Sequence, residues 1–98
     1  MNKAEKQELI RRLQLRCPAG SKVTVEITSV ARSGMSRTVR VINSESNDIT
    51  VMVALLFQTK YLGNLGFRVR GVGTDMRFYT VYRMSLALYG DGYKLNWR

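Results

Sequence analysis

The sequence predicts a small α+β domain: a three- to four-stranded, mostly antiparallel sheet with helices packed on one face, in the order α-β-β-α-β-α with room for a terminal strand. Three observations predict it. Residues 3–16 carry apolar side chains at helical spacing. Residues 22–30 and 38–42 alternate apolar and polar around a glycine-containing connection. A third alternating run, 66–72, leads through two glycines into another long helical pattern.

The first helix is the plainest element. Asn2 stands where an N-cap belongs, and Glu5 three positions later completes a capping box. Leu9, Ile10, Leu13 and Cys17 share one face, and Glu8 and Arg12 form an i,i+4 pair on the wet side. Pro18 ends the helix, because the residue before a proline avoids the helical region.

In the next run Val23, Val25 and Ile27 point one way and Thr24, Glu26 and Thr28 the other, the period of a half-buried strand. Val39 and Val41 repeat the pattern against Thr38, Arg40 and Ile42. Arg32-Ser33-Gly34-Met35-Ser36 reads as the hairpin connection, with Gly34 free to take a positive φ. Residues 43–48 are polar and read as a surface loop.

The segment 49–62 begins with strand formers, Ile49, Val51 and Val53, but runs on to Gly63. Asp48 as N-cap, Lys60 near the C-terminus and Gly63 just beyond favour a helix over 49–62. That helix is apolar nearly all round, so it is either buried or part of an interface, and it permits a homodimer. In 66–72 Phe67 and Val69 face the core while Arg68 and Arg70 face out. A final helix over 75–89, capped by Thr74 or Asp75, has Phe78, Val81, Tyr82, Ser85, Leu88 and Tyr89 as its inner stripe and stops at Gly90. The alternating tail 93–98 suits a short fourth strand.

Composition bounds the chemistry. The 98 residues suit one domain, 1–98, and a 45% hydrophobic content is that of a folded chain. The chain has no histidine, which excludes Ser-His-Asp and Cys-His catalysis and histidine-bound zinc. Its single cysteine, Cys17, excludes an internal disulfide and a multi-cysteine metal site. The acids are spread out, and no serine is followed three positions on by lysine. No enzyme, metal or cofactor is expected. The N-terminus lacks the apolar core of a signal peptide. The longest apolar stretch, 51–57, falls far short of the ~20 residues that span a bilayer. A cytoplasmic protein with no membrane partner is the expectation.

Sixteen Lys+Arg against seven Asp+Glu give a net charge of +9, which points to an acidic partner. Four constellations would meet it. The strand phases place Lys22, Arg40, Arg68 and Arg70 on one open sheet face, a surface able to neutralise phosphates but without aromatic rings to stack bases; a merely solvated face fits equally. The hairpin tip packs Arg32, Arg37, three hydroxyls and Gly34 around an unusually placed Met35, a cradle for a phosphate or carboxylate or an ordinary wet turn. Gly71-Val72-Gly73-Thr74 opens a helix, where an anion binds or a cap simply forms, and Asp75 favours the cap. Tyr79, Tyr82, Tyr89, Tyr93 and Trp97, with Arg77, Arg83 and Arg98 nearby, resemble a stacking surface or an interface hot spot, part of which the core absorbs.

Two segments, Ser33-Gly34-Met35-Ser36-Arg37-Thr38 and Gly71-Val72-Gly73-Thr74-Asp75-Met76 followed by Phe78 and Val81-Tyr82, resemble those of small bacteriophage and prophage proteins of about this length. The resemblance spans roughly residues 22–90. In similar proteins glycine often follows the methionine; here Arg77 does, making the helix start more basic. The resemblance carries no established activity. It implies a setting in which small non-catalytic proteins occupy a host machine stoichiometrically, CRISPR effectors and other defence complexes among them, with the host cell cytoplasm as location. Two readings follow. One is a counter-defence, anti-CRISPR-like or host-takeover inhibitor using Arg32, Met35, Arg37, Arg40, Arg68, Arg70, Arg77 and Trp97 on a host protein or nucleoprotein. The other is a sequence-independent RNA- or DNA-binding module using the same cations on phosphates.

Overall fold

The computed structural model describes all residues, Met1–Arg98. Its elements are α1 (Lys3–Arg16), β1 (Lys22–Val30), β2 (Ser36–Ile42), α2 (Thr50–Leu56), a 3-10 turn (Gly63–Leu65), β3 (Phe67–Arg70), α3 (Gly73–Tyr89) and β4 (Asn96–Trp97). The strands lie in the order β3-β2-β1-β4. β1 with β2 and β2 with β3 are antiparallel; the two-residue β4 adds in parallel beside Lys22 and Val23. The fold is thus the expected α+β domain, with a mixed sheet because the tail returns alongside β1.

One face of the sheet makes the core. Val23, Val25, Val39, Val41, Phe67 and Val69 point inward to Leu9 and Leu13 of α1, Val53 of α2, and Met76, Val81, Met84 and Leu88 of α3. Burying one such side chain stabilises the fold by about 1.5–3 kcal/mol. Buried polar groups are spent on tying elements together. Ser85 accepts from the amides of Lys94 and Leu95 and donates to the Asp91 carbonyl, docking the tail on α3. Tyr89 donates to the Cys17 carbonyl at 2.6 Å, joining the ends of α1 and α3. Asn43 is buried rather than part of a wet loop. Its amide donates to the Arg16 carbonyl, and its Oδ1 accepts from the amides of Glu45 and Asn47.

The capping box of α1 forms, with Asn2 Oδ1 accepting from the Glu5 amide at 2.8 Å. Two elements differ from the sequence expectation. The helix expected over 49–62 stops at Leu56, because Gln58 takes a left-handed φ of 51° and breaks the backbone ladder. Asp48 does serve its start, accepting from the Thr50 amide at 2.9 Å. Beyond Gln58 the chain meets the edge strand instead: Tyr61 bridges to Phe67 of β3, and the 3-10 turn lies between them. In α3 the inner stripe is Met76, Thr80, Val81, Met84, Ser85 and Leu88, while Phe78 and Tyr82 turn away from the core. Thr80 is buried with its hydroxyl satisfied, donating to the Met76 carbonyl one turn back at 2.8 Å. No helix is long and apolar enough to cross a membrane.

Candidate functional site

The ladder pairs Glu26 with Arg40, Thr38 with Arg68 and Ser36 with Arg70, so the three arginines do share the outer face, with Lys22 at the far end of β1. They are not one continuous patch. The 3-10 turn lies over this face. Leu65 accepts from the Thr28 hydroxyl at 2.6 Å, and Thr38, outward by register, is nonetheless buried. Thr38 stands between Arg40 on its own strand and Arg68 across the ladder, and the turn covers it. The β-bulge between Ile27 and Ser29 brings the Thr28 hydroxyl to that carbonyl.

Arg40 is engaged internally, contrary to its expected role. Its Nε donates to Asp48 at 3.1 Å and Nη2 forms a second, closer bond to the same carboxylate. Asp48, with Glu26 also nearby, pushes the arginine's pKa further up. Burial alone would raise the Asp48 pKa, but the Thr50 hydroxyl and amide and the Arg40 guanidinium outweigh it and hold it below the usual range. Arg68 and Arg70 are exposed and belong to none of the ion pairs.

Arg37 is likewise removed from the expected surface. It is paired with Val69, which places it on the core side of the sheet beyond the helices, and it is half-buried. Its Nη1 donates to the carbonyls of Gly34 and Gly71, at 2.9 and 3.1 Å. The Gly71 amide donates in turn to the Met35 carbonyl at 3.0 Å. The SGMSR hairpin and the glycine turn before α3, far apart in sequence, are therefore joined at one end of the molecule. Arg32 and Met35 stand exposed at the tip, and Arg70 lies beside it across from Ser36. Gly34 closes the tip with φ +74°.

The helix start is capped by backbone geometry at Val72, with no side-chain bond from Thr74 or Asp75. Arg77 is half-buried, its Nε enclosed without an acceptor. Trp97 is also half-buried, packed on the core as part of β4, so it is no free anchor. A different set of rings is exposed. Tyr79 stacks on Tyr82 at 6.4 Å between centroids and Tyr93 meets Tyr82 edge-on at 5.6 Å, while Phe78, Tyr79 and Tyr93 remain open to solvent. Arg83 lies 4.0 Å over the Phe57 ring. Phe78, expected on the inner stripe of α3, is thus one of the exposed rings.

Cys17 is buried, and desolvation pushes its thiol up to about 11. No group of three or more His, Cys, Asp or Glu is placed to hold a metal ion. The largest hollow, about 550 Å³ between α1 and α2, has Leu9, Met52 and Leu55 in its wall and Glu8 at its rim, with Glu8 already held by Arg11 and Arg12. No family model matches the chain, and neither a curated protein nor a solved structure shows significant similarity to it.

Proposed function

We propose that this chain is a non-enzymatic binding protein that inhibits by occupying a host protein or nucleoprotein, in the counter-defence, anti-CRISPR-like or host-takeover setting that its two motifs suggest. It meets an acidic partner with the end of the sheet where Arg32, Met35, Arg68 and Arg70 stand. One observation carries this reading: Arg37 and Gly71 bind the hairpin and the glycine turn into a single rigid end. Two unpaired arginines on β3 and an exposed methionine at the tip give that end both charge and an apolar anchor. Arg40 and Arg37 act as its framework.

The second reading, a sequence-independent RNA- or DNA-binding module, draws on the same adjacent Arg68 and Arg70. It has less support, because the outer face offers Thr24, Glu26 and Ile42 rather than rings to stack on, and the 3-10 turn interrupts it. Affinity purification from host lysate, with and without nuclease, separates the two. A nuclease-resistant stoichiometric protein partner supports inhibition. Co-purifying nucleic acid that disappears on digestion, with naked-RNA affinity that falls steeply between low and physiological salt, supports the module.

A further inference from the structure

β3 is the outermost strand on its side of the sheet, and most of its outer edge is unpaired. The Gly71 amide donates to the Met35 carbonyl in line with β2, so at the alternate residues Val69 and Phe67 the backbone also faces β2. The backbone groups of Arg68 and Arg70 therefore point the other way, out of the sheet. The neighbouring chain covers only the start of this edge. Leu62 donates to the Gly66 carbonyl at 2.7 Å, Tyr61 bridges to Phe67, and Lys60 stands level with Arg68. The Arg68 carbonyl and both backbone groups of Arg70 make no backbone bond. We propose that this edge accepts an extended acidic segment of the partner as an added strand; this rests on the proposed function and specifies what that partner presents.

Backbone and charge together select the occupant. Free N–H and C=O groups along one line are met by another extended polypeptide, which offers both donors and acceptors. A nucleic-acid strand brings phosphate acceptors but no row of donors for the carbonyls. Lys60, Arg68 and Arg70 are exposed and belong to no ion pair. Lys60 level with Arg68 is a like-charge pair, which costs stability until an anion joins it. An acid on the outer face of the added strand, opposite Arg70, lies diagonal to Arg68 and relieves that repulsion. A second copy does not suit: β3 paired with itself sets arginine against arginine. No two of the seven acids lie two positions apart, so no other segment of the chain puts a pair of acids on one face of a strand. Past the end of β3, Arg70 shares a hollow of about 350 Å³ with Asp75, Met76 and Phe78. Asp75 turns a further acid away there, and Met76 and Phe78 suit an apolar side chain at the end of the segment.

The full chain and two labelled peptides test it. One peptide is four Glu-Val repeats, acetylated and amidated. The other is the same with every backbone nitrogen methylated, which keeps the charge and removes the donors. Fluorescence anisotropy in ~50 mM NaCl is expected to give the first a dissociation constant of about 100 μM and the second at least ~10-fold weaker binding. Hydrogen exchange at the Arg70 amide is expected to slow at least ~10-fold with the first peptide and to stay fast with the second. Arg68→Glu with Arg70→Glu abolishes the binding, and Arg68→Lys with Arg70→Lys retains most of it. Equal affinity for the two peptides, an Arg70 amide that exchanges as fast with peptide as without, or no binding overturns the proposal. Oligo-dT that binds more tightly than the Glu-Val peptide also overturns it and gives the edge to nucleic acid. The lysate experiment fails separately. A nuclease-resistant protein partner without peptide pairing keeps the proposed function and removes the added strand; peptide pairing with no captured protein does the reverse.

Discussion

The Arg37 guanidinium donates to the Gly71 carbonyl at 3.1 Å, across a gap of 34 residues, while also holding Gly34 in its own hairpin. One nitrogen, Nη1, thus serves as a rivet between two backbone segments. Arg37→Ala is expected to lower stability by about 1.5–3 kcal/mol in urea titration and to speed hydrogen exchange at the Gly71 amide. Arg37→Lys keeps the cation but not the planar pair of N–H groups on Nη1, so it recovers only part of the loss. If Arg37 instead contacted a partner directly, Arg37→Lys would leave stability and exchange unaltered.

Arg68 and Arg70 have the opposite character, being exposed and unpaired. Arg68→Glu with Arg70→Glu is expected to reduce partner affinity at least ~10-fold while the melting temperature stays within a few degrees. Arg40→Glu behaves differently. It faces Asp48 and Glu26 with a third negative charge and lowers the melting temperature. Calorimetry of the two variants, followed by pull-down of the captured partner, distinguishes surface from framework. Unchanged binding by the folded β3 double variant would remove this flank from the proposal.

Gly66 connects the 3-10 turn to β3 with φ +109°, and a Cβ there would overlap the Val39 carbonyl oxygen. Gly66→Ala is expected to cost at least ~3 kcal/mol, from backbone strain and from displacing the turn off Thr38. Gly34→Ala, at φ +74° with open space around it, costs only about 1 kcal/mol. Denaturant midpoints of the two variants test the contrast, and similar losses would contradict it.

Cys17 gives a pH signature. Its thiol is raised from 9.0 to about 11, with burial the main cause. In the unfolded chain it ionises first, so the unfolded state holds fewer protons between those values. The stability it contributes is fully present below pH 9 and is lost as pH rises toward 11. Alkylation by iodoacetamide at pH 8 is therefore expected to track global unfolding, with added urea accelerating it sharply. Rapid labelling of the native protein would contradict the burial.

Local signals explain which parts of this architecture were readable beforehand. α1 combines a capping box, one apolar face and a terminating proline, all within a few residues, and it forms as expected. The arginine phases of β2 and β3 follow from alternation alone, and they too hold. α2 ends early because Gln58, a non-glycine residue, takes a left-handed conformation that nothing adjacent announces. α3 has apolar residues on both sides, so its phase is ambiguous until the sheet selects Met76, Thr80 and Met84 over Phe78 and Tyr82. The fates of Arg37 and Arg40 were equally invisible. Their partners, Gly71 and Asp48, are brought to them by tertiary folding.

The brevity of β4 has a consequence of its own. The carbonyls of Ser21 and Val23 accept from Asn96 and Arg98, but the next in that series, those of Val25 and Ile27, have no strand alongside. An unfinished sheet margin of this kind invites fibril-like stacking. Here the kink at Thr28 bends the margin away, and the carboxylate of Glu26 interrupts what would otherwise be an uncharged run from Val23 to Val30. Glu26 thus places a charge in the middle of the strand most open to such stacking.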